Sequence, residues 1–281
     1  MSGDRLDVAL LTAGLARSRT HARRIIEEGR ARLDGRTVTR PSTAVAAEAE
    51  LAVVDVPDGV EYASRAAHKL SGALDALGLD PAGLSCLDAG ASTGGFTDVL
   101  LRRGAASVIA VDIGHDQLAD HVREDSRVSV LDGTSVRDLD PALLGTSVDL
   151  LVADLSFISL RTVLAALGSV VRSDGQLLLM VKPQFEVGRA ALPKSGVVSD
   201  QAERVRAVRE VAESAAGSGL SMAAVGPSTL PGQDGNREYF LHLLPHGTAF
   251  TLDAGACDMI ESAVRGNRPR RRHDQHPSKE D

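Results

Sequence analysis

The sequence has few of the residues on which several classes of protein depend. Among its 281 residues are two cysteines, Cys86 and Cys257, and no tryptophan, and aromatic residues make up only 2%. Neither cysteine belongs to a Cys-x-x-Cys or Cys/His cluster, so the sequence predicts neither a disulfide framework nor a bound metal. Hydrophobic residues still reach 43%, so the core must be built mainly from Ala, Val and Leu.

Long apolar runs are lacking as well. No run approaches the roughly 18 residues that a membrane-spanning helix needs, so we expect no membrane partner. The N-terminal stretch is rich in Arg and has no continuous apolar core, unlike a secretory signal. We therefore expect a protein of the reducing cytoplasm.

Charge is distributed unevenly along the chain. The formal net charge is −7, yet residues 1–45 hold nine Arg against five acidic residues, and residues 265–281 hold six basic residues against three acidic ones. Basic ends on an acidic body suggest an anionic partner, although a solubilising distribution of charge explains the same counts. Seven Arg lie between positions 17 and 36, which exceeds what solubility needs and favours a surface for RNA phosphates.

The first 58 residues predict a small α+β module. Apolar residues at helical spacing predict a helix that ends at Gly14, and Ser18 is placed to cap a second helix that ends at Gly29. Short strands follow, with Asp34-Gly35 as a hairpin turn. Residues 59–64 then predict a linker.

The pattern becomes α/β from residue 65 to residue 264. A helix near 65–78 precedes apolar runs that alternate with helices, and near-continuous apolar strands are typical of a sheet covered on both faces. Alternation of this kind predicts a doubly wound, Rossmann-like sheet, with a last helix near 255–264. The polar, basic tail at 265–281 is predicted to be disordered.

The turn after the first strand of this sheet reads "DAGASTGGF" and indicates a nucleotide-like ligand. The dinucleotide fingerprint is G-x-G-x-x-G, but Ser92 stands where its second glycine would be. Asp88 ends the strand, where a carboxylate would repel a pyrophosphate and suit an ammonium or sulfonium group. Asp112 ends the next strand, where it can accept both ribose hydroxyls, and Asp132 ends the third, where an adenine ring would lie. These acids favour S-adenosylmethionine (SAM) over NAD as the cofactor.

Four further polar residues lie at the ends of helices or strands. Lys69 is on the helix before the first strand, Asp154 and Lys182 end the fourth and fifth strands, and Glu238 begins the last. The carboxyl ends of strands face the ligand crevice in a doubly wound sheet, so Asp154 and Lys182 should project toward the cofactor. A surface charge is the alternative for each, and it is weakest for Lys182, which directly follows an apolar run.

This set of Lys, Asp, Lys and Glu beside a SAM-type turn resembles the FtsJ-like 2′-O-methyltransferases of RNA. From about residue 4 to 245 the chain is more narrowly similar to the TlyA family, on the motifs SRAAHKL, CLDAGASTGGFT, VADLSFISL, VKPQFEVG and GNREYFLHL. The resemblance implies an N-terminal S4 RNA-binding domain and SAM-dependent 2′-O-methylation of cytidine in 16S and 23S rRNA of assembled ribosomal subunits. Some members of the family were also described as haemolysins.

The resemblance also implies the site residues. The catalytic set is Lys69, Asp154, Lys182 and Glu238. The cofactor-binding set is Asp88, Gly90, Ala91, Ser92, Thr93, Gly94, Gly95, Phe96, Asp112, Ile113, Asp132 and Asp154. The RNA-binding set is Arg5, Arg17, Arg19, Arg23, Arg24, Arg30 and Arg65. The chain departs from the family pattern in the linker, where Val60-Glu61-Tyr62-Ala63 stands in place of Arg-x-Trp-Val.

These residues suggest a mechanism in which Lys182 removes the proton of a ribose 2′-hydroxyl as that oxygen attacks the methyl group in line. A Lys acts as a base only when it is neutral, and burial and a neighbouring cation such as Lys69 both favour the neutral amine. Asp154 and Glu238 would orient the two Lys side chains and balance their charge. A 2′-hydroxyl acceptor implies RNA rather than DNA.

Other functions fit parts of the sequence. S4-like modules also precede pseudouridine synthases, which need an Asp nucleophile in their own motif and no SAM turn. A protein that only binds RNA needs no catalytic set. An NAD-dependent dehydrogenase is disfavoured by Ser92 and Asp88, and a pore-forming haemolysin by the lack of a membrane-inserting element.

Overall fold

The computed structural model describes residues 4–16, 18–46, 48–54, 61–232, 234–246, 251–267 and 270–271. The chain divides into two compact units, Met1–Arg65 and Ala66–Asp281. The described part of the predicted linker begins at residue 61 and belongs to the first unit.

The first unit packs two helices against short strands. Ser18 caps the second helix as expected, since its hydroxyl accepts a hydrogen bond from the backbone N–H of His21 at 3.1 Å. Asp34 and Gly35 have φ values of 51° and 75°, the positive pair that a tight hairpin turn requires. The elements are β1 (Asp4–Arg5), α1 (Leu6–Thr12), α2 (Arg19–Glu27), β2 (Ala31–Leu33), β3 (Arg36–Thr37), β4 (Ala44–Val45) and β5 (Leu51–Val53).

The second unit is built on an eight-stranded sheet. Its strands are β6 (Ser85–Ala89), β7 (Ser107–Val111), β8 (Val128–Leu131), β9 (Val148–Ala153), β10 (Val171–Val181), β11 (Leu220–Pro227), β12 (Tyr239–Pro245) and β13 (Arg270–Arg271). The order in the sheet is β13-β11-β12-β10-β9-β6-β7-β8. The five strands from β10 to β8 are parallel, and β12, β11 and β13 add to them in antiparallel fashion. This arrangement confirms the predicted doubly wound, Rossmann-like fold.

Helices cover the sheet and bury its apolar strands. The helices are α3 (Ala66–Leu77), α4 (Gly95–Arg102), α5 (Asp120–Arg123), α6 (Pro141–Leu144), α7 (Leu164–Ser169), α8 (Pro183–Glu186), α9 (Gln201–Gly217) and α10 (Ala254–Val264), with 3₁₀ turns at Val136–Asp138 and Leu160–Thr162. The last five residues of β10 are all buried, which explains their unbroken apolar run. Tyr239 and Phe240 are the largest fully buried side chains in the part of the chain that the structure describes, so aliphatic residues supply most of this core.

The predicted disordered tail needs a correction at two residues. Arg270–Arg271 form β13, which pairs with Ala224 and Val225 of β11. Without this pairing β11 would be an edge strand with unpaired backbone groups, and the added strand satisfies some of them. Residues 268–269 and 272–281 lie outside the described residues.

Candidate active site

Three strand ends that carry predicted catalytic residues lie side by side at one edge of the sheet. β9 and β12 flank β10, and at the last residue of β10 Val181 lies opposite Tyr239. Asp154 directly follows β9, Lys182 directly follows β10 and Glu238 directly precedes β12. The fold therefore brings together side chains that are up to 84 residues apart in sequence, as the difference between positions 154 and 238 shows.

The four predicted catalytic residues form two ion pairs, one buried and one partly buried. Lys69 Nζ donates to Glu238 Oε2 at 2.5 Å, and these side chains are 9% and 2% exposed. Lys182 Nζ lies 2.7 Å from Asp154 Oδ1 and donates to Ser156 Oγ at 2.8 Å. Removing one partner of a buried pair leaves an uncompensated charge. Each ion pair therefore stabilises the positions of its two side chains.

Two glycines allow Lys69 to reach Glu238. Gly72 lies on α3 one turn after Lys69, and an added Cβ there would collide with the side chain of Thr229. The hydroxyl of Thr229 also donates a hydrogen bond to a backbone carbonyl group of α3, that of His68, at 3.2 Å. At Gly232 an added Cβ would lie 2.6 Å from Glu238 Oε1. The close approach of α3 to the segment before β12 therefore sets the first ion pair.

An exposed aromatic ring stands beside the second ion pair. Phe157 is 92% exposed and has φ of 63°, a left-handed conformation that is rare for a bulky residue. Its ring lies 5.3 Å from that of Phe185, and Lys182 Nζ lies 5.9 Å from the centre of the Phe185 ring. We did not predict Phe157 as a site residue, although an aromatic next to a strand-end acid was a signal in a chain with so few aromatics.

The turn after β6 approaches the same edge of the sheet. Gly90, Ser92 and Gly94 have φ values of 83°, 46° and 90°, so Ser92 adopts the conformation that glycine favours although it replaces the glycine of the fingerprint. An added Cβ on Gly90 would lie 3.1 Å from the backbone oxygen of Asp154. The glycine turn and the Lys182–Asp154 pair are therefore direct neighbours.

Asp88 lies at the end of β6, as predicted, and its side chain is fully buried. Its Oδ2 accepts hydrogen bonds from Thr97 N at 2.9 Å and Thr97 Oγ1 at 2.7 Å. Burial raises the pKa of Asp88 to about 7, against the opposing effect of these bonds. Its Oδ1 has no hydrogen-bond partner among the described residues, so it requires a donor that these residues do not supply.

Asp112 and Asp132 end their strands as predicted, and both already hold backbone groups. The Asp112 carboxylate accepts from Ser92 N at 2.8 Å and from Gly114 N at 2.7 Å. Asp132 accepts from Asp116 N at 3.1 Å and from Arg123 at 3.0 Å, and its bond to Arg123 lowers its pKa. Each carboxylate oxygen can accept more than one bond, so both acids can still receive ligand hydroxyl or amino groups.

The other predicted cofactor residues differ in their exposure. Ile113 is 72% exposed beside Asp112 and offers an apolar surface to a ring. Phe96 lies in α4 with its ring buried at 6.2 Å from the ring of Phe240, so its side chain belongs to the core. The remaining predicted cofactor residues lie in the turn after β6 and at the first residue of α4: Ala91, Thr93 and Gly95. Together with the orphan oxygen of Asp88, these groups fit a ligand with a cationic group, a ribose and a flat ring.

The predicted RNA-binding residues fall into two groups in the first unit. Arg5, Arg19 and Arg23 all bond the carboxylate of Asp7 at 3.0–3.2 Å, and their own side chains remain about half exposed. Asp7 is fully buried, and its hydrogen bond with Arg5, supported by the other two Arg, lowers its pKa far below the ordinary value. The structure thus gathers three guanidinium groups at one point, with one acid beneath them.

The remaining predicted RNA-binding residues hold their own chain. Arg24 bonds Glu61 at 3.0 Å and the carbonyl of Ala63 at 3.3 Å, which fastens the linker to α2. Arg30 bonds the carbonyl of Val54 and is also paired with Glu28. The backbone of Arg65 donates to Glu28 as well. Arg17 lies outside the described residues.

Within the described part of the chain, no group of three or more His, Cys, Asp or Glu side chains could hold a metal ion. Among the same residues, none of the helices is long and apolar enough to cross a membrane.

A mostly parallel sheet with a glycine turn, strand-end acids and a paired Lys and Asp defines a Rossmann-like methyltransferase. The family model described as FtsJ-like methyltransferase matches residues 62–244, and the S4 domain model matches residues 4–51. The chain belongs to the TlyA group of FtsJ-like methyltransferases and carries an S4 domain.

Individual relatives support this assignment over most of the chain. The 16S/23S rRNA (cytidine-2′-O)-methyltransferase TlyA of Mycobacterium tuberculosis is 50% identical over 260 residues, which cover 92% of this chain and 97% of the relative. Hemolysin A of Brachyspira hyodysenteriae is 31% identical over 85% of this chain and 99% of its own. The solved structure of a hemolysin-named protein from Streptococcus thermophilus matches with a TM-score of 0.73 and 30% identity, over 94% of this chain and 97% of that chain.

Proposed function

We propose that this protein transfers the methyl group of SAM to the ribose 2′-hydroxyl of a cytidine in ribosomal RNA, in both 16S and 23S rRNA of assembled subunits. The observation that carries the proposal is the Lys182–Asp154 ion pair, at 2.7 Å, beside the glycine turn that runs against Asp154. A buried amine next to a cofactor turn is the arrangement needed to remove the proton of an acceptor hydroxyl as that oxygen takes the methyl group. A ribosomal substrate implies the cytoplasm as the site of action.

The cofactor would lie along the turn after β6. SAM, when bound, supplies an electrophilic methyl group on a sulfonium centre. Asp112 would accept the ribose hydroxyls, the exposed side chain of Ile113 would cover one face of the adenine, and Asp132 would lie at its edge. Asp88, buried behind the turn, would act through its unpartnered Oδ1 on a donor such as water or an ammonium group.

Lys182 would act as the base. Its side chain is 10% exposed, and its amine lies 2.7 Å from Asp154 Oδ1. In the neutral form Lys182 takes the 2′-hydroxyl proton, and Asp154 stabilises the ammonium that results. Ser156 accepts a hydrogen bond from the same nitrogen at 2.8 Å and fixes its direction. Lys69 of α3 and Glu238, which directly precedes the adjacent strand β12, neutralise each other, so that they contribute position rather than net charge.

The RNA would be held by two further surfaces. The guanidinium groups of Arg5, Arg19 and Arg23 are preorganised by Asp7 and carry a net positive charge that suits phosphate groups. Phe157 offers an exposed ring that packs on Phe185, whose ring neighbours Lys182, and unstacked nucleobases of RNA bind on such aromatic faces. We accordingly assign residues 1–58 to RNA binding, 59–64 to the linker, 65–264 to methyl transfer, and leave 265–281 as a basic tail.

One experiment tests the proposal directly. Unmodified 30S and 50S subunits are incubated separately with the protein and SAM, and reverse transcription at low dNTP then maps any 2′-O-methyl positions. We expect a stop at a cytidine in both rRNAs with the wild-type protein. Transfer to a base, or no transfer while labelled SAM still binds, contradicts the proposal. Methylation of one subunit alone would restrict the proposed substrate to the rRNA of that subunit.

A further inference from the structure

The segment after Lys182 runs alongside the loop after Asp154, and contacts join them along their length. Near the start, Lys182 Nζ donates to Ser156 Oγ at 2.8 Å. In the middle, the rings of Phe157 and Phe185 lie 5.3 Å apart. The contacts at the far end involve Glu186, the last residue of α8.

Glu186 fastens the far end of the loop through both of its carboxylate oxygens. Oε2 accepts from Ser159 Oγ at 2.5 Å, and Oε1 accepts from the backbone N–H of Leu160 at 2.8 Å. The backbone carbonyl of Glu186 also accepts from Arg161 at 3.2 Å. All these partners lie at the start of the 3₁₀ turn Leu160–Thr162, where free N–H groups favour a carboxylate.

Burial of the Glu186 carboxylate costs free energy unless its hydrogen bonds are kept. Glu186 is 2% exposed, and burial raises its pKa while the bonds from Ser159 and Leu160 oppose that rise. A buried carboxylate that loses its donors is left with the full cost of desolvation. Movement of the loop away from α8 would therefore cost a large free energy of desolvation. The loop is thus held at two points, by Lys182 near its start and by Glu186 at its far end.

We propose that Glu186 is a positioning residue for methyl transfer, which holds the loop carrying Asp154, Ser156 and Phe157 in register with Lys182. Glu186 acts through Ser159, Leu160 and Arg161, whose Nε lies 3.5 Å from Glu186 Oε2, and not by contact with a reactant. The inference rests on the proposed function, because it concerns the same lysine. It adds a residue outside the Lys69, Asp154, Lys182 and Glu238 set.

The test compares two substitutions at one position in the full-length protein. Glu186→Ala removes both acceptors, whereas Glu186→Gln keeps one oxygen for Leu160 N–H and an amide that can donate to Ser159 Oγ. The measurement is single-turnover methyl transfer at saturating SAM and subunits. We expect Glu186→Ala to lower the rate constant by about 10- to 100-fold, the range that a small misplacement of reacting groups produces. Glu186→Gln should stay within about threefold of wild type, and both variants should bind SAM as wild type does.

Amplitude and rate separate positioning from a merely structural role. Loss of folded protein lowers the amplitude of the single turnover and leaves its rate constant unchanged, while mispositioning lowers the rate constant at full amplitude. Glu210→Ala is the matched control, because Glu210 holds Arg161 at 2.8 Å from outside the loop, and its rate constant should equal that of wild type. If Glu186→Ala fails to fold, Ser159→Ala removes one of the same bonds and must slow the reaction.

The remaining outcomes decide between the two proposals. A wild-type rate constant in Glu186→Ala, or an amplitude loss alone, overturns the role of Glu186 while methylation by the wild-type protein leaves the proposed function intact. Equal losses in the Gln and Ala variants overturn positioning through hydrogen bonds. Absence of methyl transfer by the wild-type protein overturns the proposed function and this inference with it.

Discussion

The amine of Lys182 lies 2.7 Å from Asp154 Oδ1, within a side chain that is only 10% exposed. This contact joins the ends of the two central strands β9 and β10, and Asp154 in turn lies against the glycine turn after β6. The pair therefore links the place where the proton would be removed to the place where the methyl donor would bind. Its role can be separated from that of the cofactor site, since Lys182 and the turn lie on different elements.

Lys182→Arg should lower the single-turnover rate of methyl transfer by about 10²–10⁴-fold, the usual contribution of a general base. The guanidinium keeps the positive charge next to Asp154 but does not lose its proton in a protein, so it can pair but cannot act as the base. Binding of labelled SAM, measured separately, should change little. A variant that transfers methyl groups at a near wild-type rate would show that Lys182 is not the base.

The Lys69–Glu238 pair predicts a double-mutant cycle with strong coupling. Lys69→Met leaves the carboxylate of Glu238 buried without its partner and should cost about 3–5 kcal/mol of folding free energy. The double variant Lys69→Met/Glu238→Gln should recover part of that loss, because no charge is then stranded. The measurement is urea denaturation of the wild type, of the single variants Lys69→Met and Glu238→Gln, and of the double variant.

An exposed ion pair in the same unit provides the control for this cycle. Arg103 and Asp75 lie 2.8 Å apart, and Asp75 is 66% exposed. Asp75→Asn should change the free energy of unfolding by less than about 1 kcal/mol, since exposed pairs contribute little. If Lys69→Met and Asp75→Asn lowered the free energy of unfolding equally, the buried pair would stabilise the fold no more than the exposed pair does.

Phe157→Ala should weaken the binding of ribosomal subunits at the methylation step. Stacking of one base on an aromatic ring is worth about 1–3 kcal/mol, which corresponds to roughly 5- to 150-fold in KM or Kd. Phe157→Tyr keeps the ring and should behave as wild type. Leu143→Ala, at another exposed apolar residue (48% exposed), is the control. An equal effect of Phe157→Ala and Leu143→Ala would remove the case for a stacking surface.

Asp88 predicts how stability depends on pH. Its pKa is raised by burial to about 7, above the ordinary value of about 3.9 that it has in the unfolded chain. Between these values the folded state binds more protons than the unfolded state, so stability is highest below about pH 4 for this group and falls as pH rises toward 7. In the absence of cofactor, wild type should lose on the order of 2–4 kcal/mol between pH 4 and pH 8 relative to Asp88→Asn.

Urea denaturation at a series of pH values measures this difference. Thr97→Val, which removes one of the bonds to Asp88 Oδ2, should make the total fall larger and extend it to higher pH, because that bond favours the ionised form. Parallel stability curves for wild type and Asp88→Asn across this range would show that the carboxylate is already charged in the folded protein.

Local signals were sufficient for much of the fold. Ser18 and the Asp34-Gly35 turn were predicted because capping and hairpin geometry depend on neighbouring residues only. The four catalytic candidates were found because strand ends in a doubly wound sheet share one edge. The pairing of Lys69 with Glu238 was not predictable, since it depends on β12 inserting beside β10 from a distant part of the chain. The burial of Asp88 was not predictable for a related reason: α4 packs Thr97 against it, and the strand pattern contains no information about that contact.

The Arg cluster predicts a change in the salt dependence of binding. Arg19 is 52% exposed and held by the buried Asp7, whereas Arg172 in the second unit is 54% exposed and paired with Asp149 and Asp174. If Arg19 contacts one phosphate, Arg19→Gln should reduce the slope of log K against log salt for subunit binding by about 0.7–0.9. The matched variant Arg172→Gln should leave that slope unchanged.

Both variants remove one half-exposed guanidinium, so the overall charge of the protein changes equally. A general effect of net charge would therefore alter both slopes alike, and this result would contradict a specific phosphate contact at Arg19. A lower slope for Arg19→Gln alone, with unchanged SAM binding, would place an RNA phosphate at the guanidinium cluster above Asp7. Arg5→Gln and Arg23→Gln should then each give a similar loss, because the same carboxylate holds all three side chains.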